Sequence, residues 1–315
     1  MTVWKKLKPR FWDYVDAAAG PFGHLFNFRR IWQLAVLLTV GVALVPLVSI
    51  TAVDYEVTQR SIESEIALRT SRMVSNTRRA VSFFLEERRA ALDFIVQDNS
   101  FERLNDPERL QAILDHLKTS FGGFTDLGVI DPLGYQRMYV GPYRLERVDY
   151  GGQAWYREVL ERGVYISDVF PGFRQVPHLI IAVKHELGSG AHFVLRATLD
   201  TERFNHLIAH PEIAGGGDAF LINREGKLQT PSLWHGKVLD TISLPVPAYS
   251  HNTELIETED KHGQTNLVGY AYIEETPFIL MIVKNKNELM QPWYKTRLQL
   301  MGFLAASITI ILVVI

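Results

Sequence analysis

The sequence predicts an α+β protein in which a long N-terminal helix precedes two lobes with antiparallel sheets, the whole flanked by two transmembrane helices. Three observations carry that expectation. Two apolar runs without a charge stand towards the ends, Ile31–Val53 and Leu298–Ile315. The stretch after the first run repeats apolar residues at helical spacing, and the middle of the chain alternates strand-like runs with turn residues, two of which share one pattern.

Ile31–Val53 holds twenty-three uncharged residues, and at about 1.5 Å per residue a helix of that length crosses a hydrocarbon core of roughly 30 Å. Residues 1–30 carry Lys5, Lys6, Lys8, Arg10, Arg29 and Arg30 against Asp13 and Asp16. The positive-inside rule therefore assigns them to the cytoplasm and the region between the runs to the outside. An apolar core this long, with a weak small-x-small pattern after it, argues against a cleaved signal peptide. Trp4, Phe11, Trp12, Tyr14, Phe22, Phe26 and Phe28 interleave with the basic residues, as in an interfacial segment or in an unstructured cytoplasmic tail. No basic anchor follows the second run, so the sequence is expected to be the front part of a longer protein. A formal charge of −2 with 47% hydrophobic residues excludes a polyelectrolyte and gives no footprint for a nucleic acid. The absence of cysteine removes thiolate metal sites, cysteine nucleophiles and disulfides.

From Asp54, the residues Ile62, Ile66, Met73, Val81, Phe84, Leu85, Leu92 and Ile95 predict a helix to Gln97, about 66 Å long. A helix so long and charged needs a neighbour, so a parallel homodimer with Ile62, Ile66 and Met73 near its axis is expected. Asp106 as N-cap and Pro107 at the first helical position open a second helix to about Thr119. Asp126–Ile130, the turn Asp131–Gly134 and Tyr135–Val140 read as a hairpin. Ala154–Glu161 reads as a helix stopped by Gly163, and Tyr165–Phe170, His178–His185 and His192–Leu199 as strands. Thr201–His210 reads as a helix ended by Pro211. Val129–Gly134 is then echoed ninety-two residues later by Leu221–Gly226, again a strand, an Asx turn and a glycine. With strands at Asn266–Ile273 and Phe278–Lys284 after it, the echo predicts a second lobe, its boundary near Ala214–Gly217. Beyond Asn285 the chain turns helical through Trp293 and Tyr294.

A long helix, a larger and a smaller sheet lobe and a return helix between two spans resemble a double Cache sensor domain over about Ala52–Lys295. That family forms the extracytoplasmic half of bacterial histidine kinases, chemoreceptors and cyclic-dinucleotide enzymes. Its most specific stretch here is Tyr150–Asp200, where DYGGQAWYREVLERGVYISDVFPGFRQVPHLIIAVKHE and FVLRATLD follow the family's order. The resemblance implies PAS-like lobes and divides the chain into a cytoplasmic segment (1–30), a first span (31–53) and a signalling helix with a second helix (54–120). A membrane-distal lobe with the ligand pocket (121–213), a membrane-proximal lobe (214–286), a stalk helix (287–297) and a second span (298–315) complete it. It further implies a bacterial inner-membrane protein with residues 54–297 in the periplasm. The family's amino-acid-binding pattern has an Arg two positions before a Trp-Tyr pair; here Gln153 precedes Trp155-Tyr156. Phe170 stands where that pattern has Tyr, and Asp200 matches the Asp that takes the ligand's ammonium.

Strand alternation puts Val194, Arg196, Thr198 and Asp200 on one face and Leu195, Ala197 and Leu199 on the other. With Arg174, His178, Tyr150, Trp155, Tyr156, Tyr165 and Asp168 the first face predicts an aromatic-walled pocket with charges of both signs. Salt bridges Arg196–Asp200 or Arg174–Asp168 beside core aromatics are the plainer alternative. The expected ligand is a small organic anion or zwitterion, carboxylate or amino-acid-like, held by Arg174, Arg196 and His178. Simple carboxylates are expected ahead of α-amino acids. His206 and His210, four apart, lack an HExxH pattern and read as a surface pair. No GxSxG elbow, phosphate loop or kinase motif occurs, and Glu274-Glu275 and Glu86-Glu87 read as solvated. No catalytic residue, metal or cofactor is therefore expected in this chain. The expected role is the sensing half of a two-component histidine kinase. A chemoreceptor, a diguanylate cyclase, a membrane-tethered periplasmic enzyme and a structural scaffold are its rivals.

Overall fold

The computed structural model describes residues 28–145, 147–188, 190–208, 217–259 and 263–314. One helix, α1, runs unbroken over Phe28–Asp98, 71 residues. The expected first span and the expected helix beyond it are thus a single element, because no turn residue separates Val53 from Asp54. Pro46 inside it lacks the N–H that would bond the Val42 carbonyl, and its ring crowds that carbonyl, yet the helix continues through it. The first part of α1 is long and apolar enough to cross a membrane, and its Leu37 and Leu38 are 72% and 67% exposed. The predicted cytoplasmic segment lies, up to residue 27, outside the described residues.

Two compact units divide the chain, residues 66–289 and a smaller one formed by residues 1–65 with 290–315. In residues 66–289, Ser100 caps α2 (Phe101–Leu104) and Asp106 caps α3 (Pro107–Ser120), each side chain accepting from a backbone N–H of the first turn. Strands β1 (Phe124–Ile130) and β2 (Gln136–Val140) form the predicted hairpin, followed by α4 (Ala154–Arg162) with Gly163 beyond its end. Next come β3 (Val164–Ile166), β4 (Leu179–Glu186) and β5 (His192–Leu199), which complete an antiparallel sheet of order β2-β1-β5-β4-β3. After α5 (Thr201–Ile208) the second sheet is built from β6 (Gly217–Ile222), β7 (Glu254–Glu259), β8 (Thr265–Tyr272) and β9 (Ile279–Asn285), in the order β6-β9-β8-β7. The chain then passes through α6 (Lys286–Leu289) into α7 (Gln291–Val314), which carries the second apolar run. In the smaller unit the ring of Trp293 on α7 lies 5.1 Å from that of Tyr55 on α1.

The core follows from strand alternation. Leu127 and Val129 of β1, Leu195, Ala197 and Leu199 of β5, and Leu280 and Ile282 of β9 turn to one side. There they meet Val74, Val81, Leu85 and Leu92 of α1 and Leu110, Ile113, Leu114 and Leu117 of α3, one cluster spanning both sheets. On the opposite side of β9, Ile279, Met281 and Val283 pack with Phe220, Leu228 and Ile242. The opposite side of the first sheet is covered by α4, whose Trp155, Tyr156 and Val159 join Ile130, Ile180, Ala182 and Val194. Gly269 of β8 makes the approach of α1 possible: a Cβ there would stand 2.7 Å from Cγ2 of Val74.

Several elements differ from expectation. β3 stops at Ile166 instead of continuing to Phe170, since Ser167 turns its hydroxyl to the Ile180 N–H (3.0 Å) and the next residues leave the sheet. Only a bridge between Phe170 and His178 resumes the pairing. The edge strand β7 and the single-turn α2 carried no periodic signal. His210 and Pro211 at the expected end of α5, and Ala214–Gly216 at the expected lobe boundary, fall outside the described residues.

Candidate functional site

A cavity of about 320 Å³ opens on the α4 side of the first sheet. Arg196 on β5 forms its charged part. β5 pairs with β1 so that Arg196 stands beside Gly128, and that glycine leaves the guanidinium its room. A Cβ at Gly128 would strike Oε1 of Gln136 and reach 3.3 Å from Nη2 of Arg196. Arg196 is 2% exposed, its Nη2 donates to Oδ1 of Asp126 at 3.2 Å, and its Nε has no hydrogen-bond partner among the described residues. The guanidinium carbon lies 5.4 Å from the centre of the Tyr150 ring, a distance at which the ring's negative face attracts it.

Aromatic and apolar groups make most of the wall. Tyr150 meets Trp155 edge-on at 5.1 Å and Phe173 at 5.6 Å, all three lining the cavity. Phe170, whose ring lies 4.7 Å from that of His178, closes another side. Leu145 and Ile180 add aliphatic surface, and Gln153 and Gln175 supply amides. His178 Nδ1 is 2.8 Å from the Val176 carbonyl oxygen, which holds the ring in place. Four of the nine expected residues, Tyr150, Trp155, His178 and Arg196, thus meet around one space.

Of the other five, Arg174 has a side chain outside the described residues, and Tyr156, Tyr165, Asp168 and Asp200 lie elsewhere. Asp200 caps α5, its Oδ1 accepting from Glu202 N–H at 2.9 Å, because the residue closing a strand ahead of a helix is well placed to satisfy the helix's free donors. Asp168 accepts from the side-chain amide of Asn223 at 2.9 Å, on the Asx turn that opens the second lobe's echo of the first. Burial raises its carboxyl above the usual range despite that bond. Tyr156 is buried on α4 with its hydroxyl donating to the Asp131 carbonyl at 2.9 Å, and burial first, then Asp131, pushes it up to about 12. Tyr165 borders a different, larger groove of about 960 Å³, shared with Arg78 and Arg89 of α1 and Glu274 and Glu275 of the second lobe. Burial raises the Tyr165 hydroxyl too. The ion-pair partner of Arg196 is Asp126, not Asp200. The pairing of β1 with β5 decides this, and no spacing in the sequence reveals it. Phe173 and Gln175 were not expected either, since they sit in an irregular turn.

The segment after β3 joins this cavity to the second lobe. Phe170 lines the cavity, while its neighbour Val169 donates its N–H to Oε1 of Gln229 at 2.6 Å and Asp168 binds Asn223. Gln229 is 1% exposed. Its backbone N–H donates to the Leu221 carbonyl at 2.8 Å, fastening it to β6.

No protein-family profile matches the sequence, and no curated protein matches it. Solved structures do. A domain described as the extracellular part of a histidine kinase, rpHK1S-Z16, superposes with a TM-score of 0.56 at 17% identity, covering 72% of this chain and 99% of that one. The ligand-binding domain of the Pseudomonas fluorescens chemoreceptor CtaA, solved with L-isoleucine, gives 0.57 at 14% identity over 74% and 98%. That of the Pseudomonas aeruginosa PAO1 amino-acid chemoreceptor PctB, solved with L-Gln, gives 0.53 at 20% over 70% and 91%. The fold is that of these receptor sensor domains, in keeping with the double Cache resemblance of the sequence.

Proposed function

We propose that this chain is the extracytoplasmic sensing module of a membrane receptor, and that it feeds a histidine kinase output domain. The observation that carries the reading is the cavity around Arg196, which shares one chain segment with the contacts to the second lobe. A ligand that moves Phe170 moves Val169 with it, and so the buried Gln229 beside β6, the neighbour of β9 from which the chain passes to α6 and α7. Small displacements in a packed interior are transmitted, since such interiors deform little. The ligand is a small organic anion or zwitterion. Sensor domains solved with amino acids share the fold and support that class. The chain crosses the bacterial inner membrane with α1 and α7, exposes the lobes to the periplasm and has no catalysis of its own. It works as a parallel dimer, with α1 helices side by side.

The same likeness to CtaA and PctB favours, as a second reading, a chemoreceptor output. Full-length receptor in nanodiscs distinguishes them: ligand-dependent phosphorylation of a histidine supports the kinase, and its absence from a receptor that binds ligand refutes it. An inactive alkaline phosphatase fusion at His251 would reject the topology. Single cysteines at Ile62 and Ile66 should crosslink within the dimer in a chain that has no other cysteine; failure of a cysteine at every position between Val57 and Met73 rejects the parallel arrangement.

A further inference from the structure

Resting on the pocket reading above, we infer that the cavity selects carboxylates that bear no ammonium group, in preference to the α-amino acids of the same skeleton. The argument is one of charge placement. Arg196 is buried, lines the cavity and presents a fork of five N–H donors. Asp126 engages Nη2, and Nε is without a partner among the described residues. Such a fork accepts a second carboxylate, and planar guanidinium is the side chain best shaped for it.

An α-amino acid needs, besides this, a site for its ammonium. The two acids expected in the pocket stand away from the cavity: Asp200 caps α5, Oδ2 of Asp168 holds Asn223, and neither lines it. Among the described residues no carboxylate lines the cavity. What remains around Arg196 is the aromatic group of Tyr150, Trp155, Phe170 and Phe173, the imidazole of His178 and the amides of Gln153 and Gln175. Those surfaces take an aliphatic or aromatic body well, whereas an ammonium among them meets ring faces and amide oxygens but no carboxylate to offset its lost hydration. Gln153 adds a second indication. It occupies the N-cap of α4 with no side-chain capping bond, so its amide is not committed to the helix, and an amide tolerates a neutral ligand body as readily as a polar one.

The test is calorimetry on the full chain in nanodiscs with two matched pairs, 4-methylpentanoate against L-leucine and 3-phenylpropanoate against L-phenylalanine. Each pair differs only by the ammonium. The carboxylate of at least one pair should bind about tenfold or more tighter than its amino acid, the loss expected when one charged contact goes unmet. Arg196→Met should abolish that binding. Because this change takes the guanidinium away from the buried Asp126, Gln153→Glu serves as a variant that keeps the core intact: an acid at the start of α4 should raise amino-acid binding and bring the ratio towards unity. Amino acids bound as tightly as the acids, with a dependence on Arg196, overturn the selectivity and leave the pocket standing. Failure of all four compounds to bind, or binding that Arg196→Met does not touch, overturns the pocket reading and this inference with it.

Discussion

Replacing Gln229 by Met removes one of the polar links between the lobes, leaving that of Asp168 to Asn223, while keeping nearly the same length and volume. Gln229 is 1% exposed and accepts from the N–H of Val169, itself 3% exposed, at 2.6 Å; its own amide donates to the Lys227 carbonyl at 3.1 Å. In Gln229→Met the Val169 N–H has no acceptor and no route to water. A buried donor so orphaned costs about 1–3 kcal/mol, and the lost bond to Lys227 adds less, since that carbonyl belongs to an exposed residue. A loss of about 2 kcal/mol corresponds to roughly 4–8 °C in Tm for a domain of this size. Thermal unfolding of the full chain in nanodiscs, monitored by intrinsic fluorescence, measures the shift. Hydrogen exchange at Val169 reads the same event locally, with protection falling while amides of β4 and β5 keep theirs. Since the variant leaves the cavity lining intact, ligand affinity should stay within about threefold while ligand-driven output falls. An unchanged Tm together with unchanged Val169 protection would show that the link bears no weight, and would remove the transmission route proposed above.

Tyr156→Phe deletes the buried bond to the Asp131 carbonyl and should cost about 1 kcal/mol in urea unfolding, with ligand binding unaffected; a stability equal to wild type refutes the assigned bond. His235, packed 5.1 Å from the Phe220 ring, has its pKa lowered from 6.5 by burial, partly offset by Asp218. A lowered folded pKa means that its stabilising contribution is present above pH 6.5 and is lost as pH falls below it. His235→Gln should therefore flatten the decline of Tm between pH 7.5 and 5, and parallel declines would contradict the assignment. Gly269→Ala forces Val74 or α1 to move and should cost about 1–3 kcal/mol by overpacking. Val74→Ala should rescue part of that loss, whereas strictly additive effects in the double variant would show that the two positions do not touch.

Local chemistry made much of this fold legible in the sequence. The Asp106-Pro107 start of α3 and the Gly163 stop of α4 depend on backbone groups a few residues away, and both appear where expected. The hairpin β1–β2, the strands β4, β5, β8 and β9 and the echoed Asx turn follow from short apolar runs and turn chemistry, which also act within a few residues. Alternation likewise put Arg196 on the face that lines the cavity. Tertiary structure decided what that face means. Asp200 is an acid at a strand end by sequence, and only the helix that follows makes it a cap. Asp126 and Arg196 lie seventy residues apart and meet because β1 pairs with β5. Asp168 leaves the first sheet for Asn223 because a second lobe offers it a donor. Short-range backbone preferences are written residue by residue, but the partners of a buried charge are chosen by strand register and lobe packing, and those are properties of the whole folded chain.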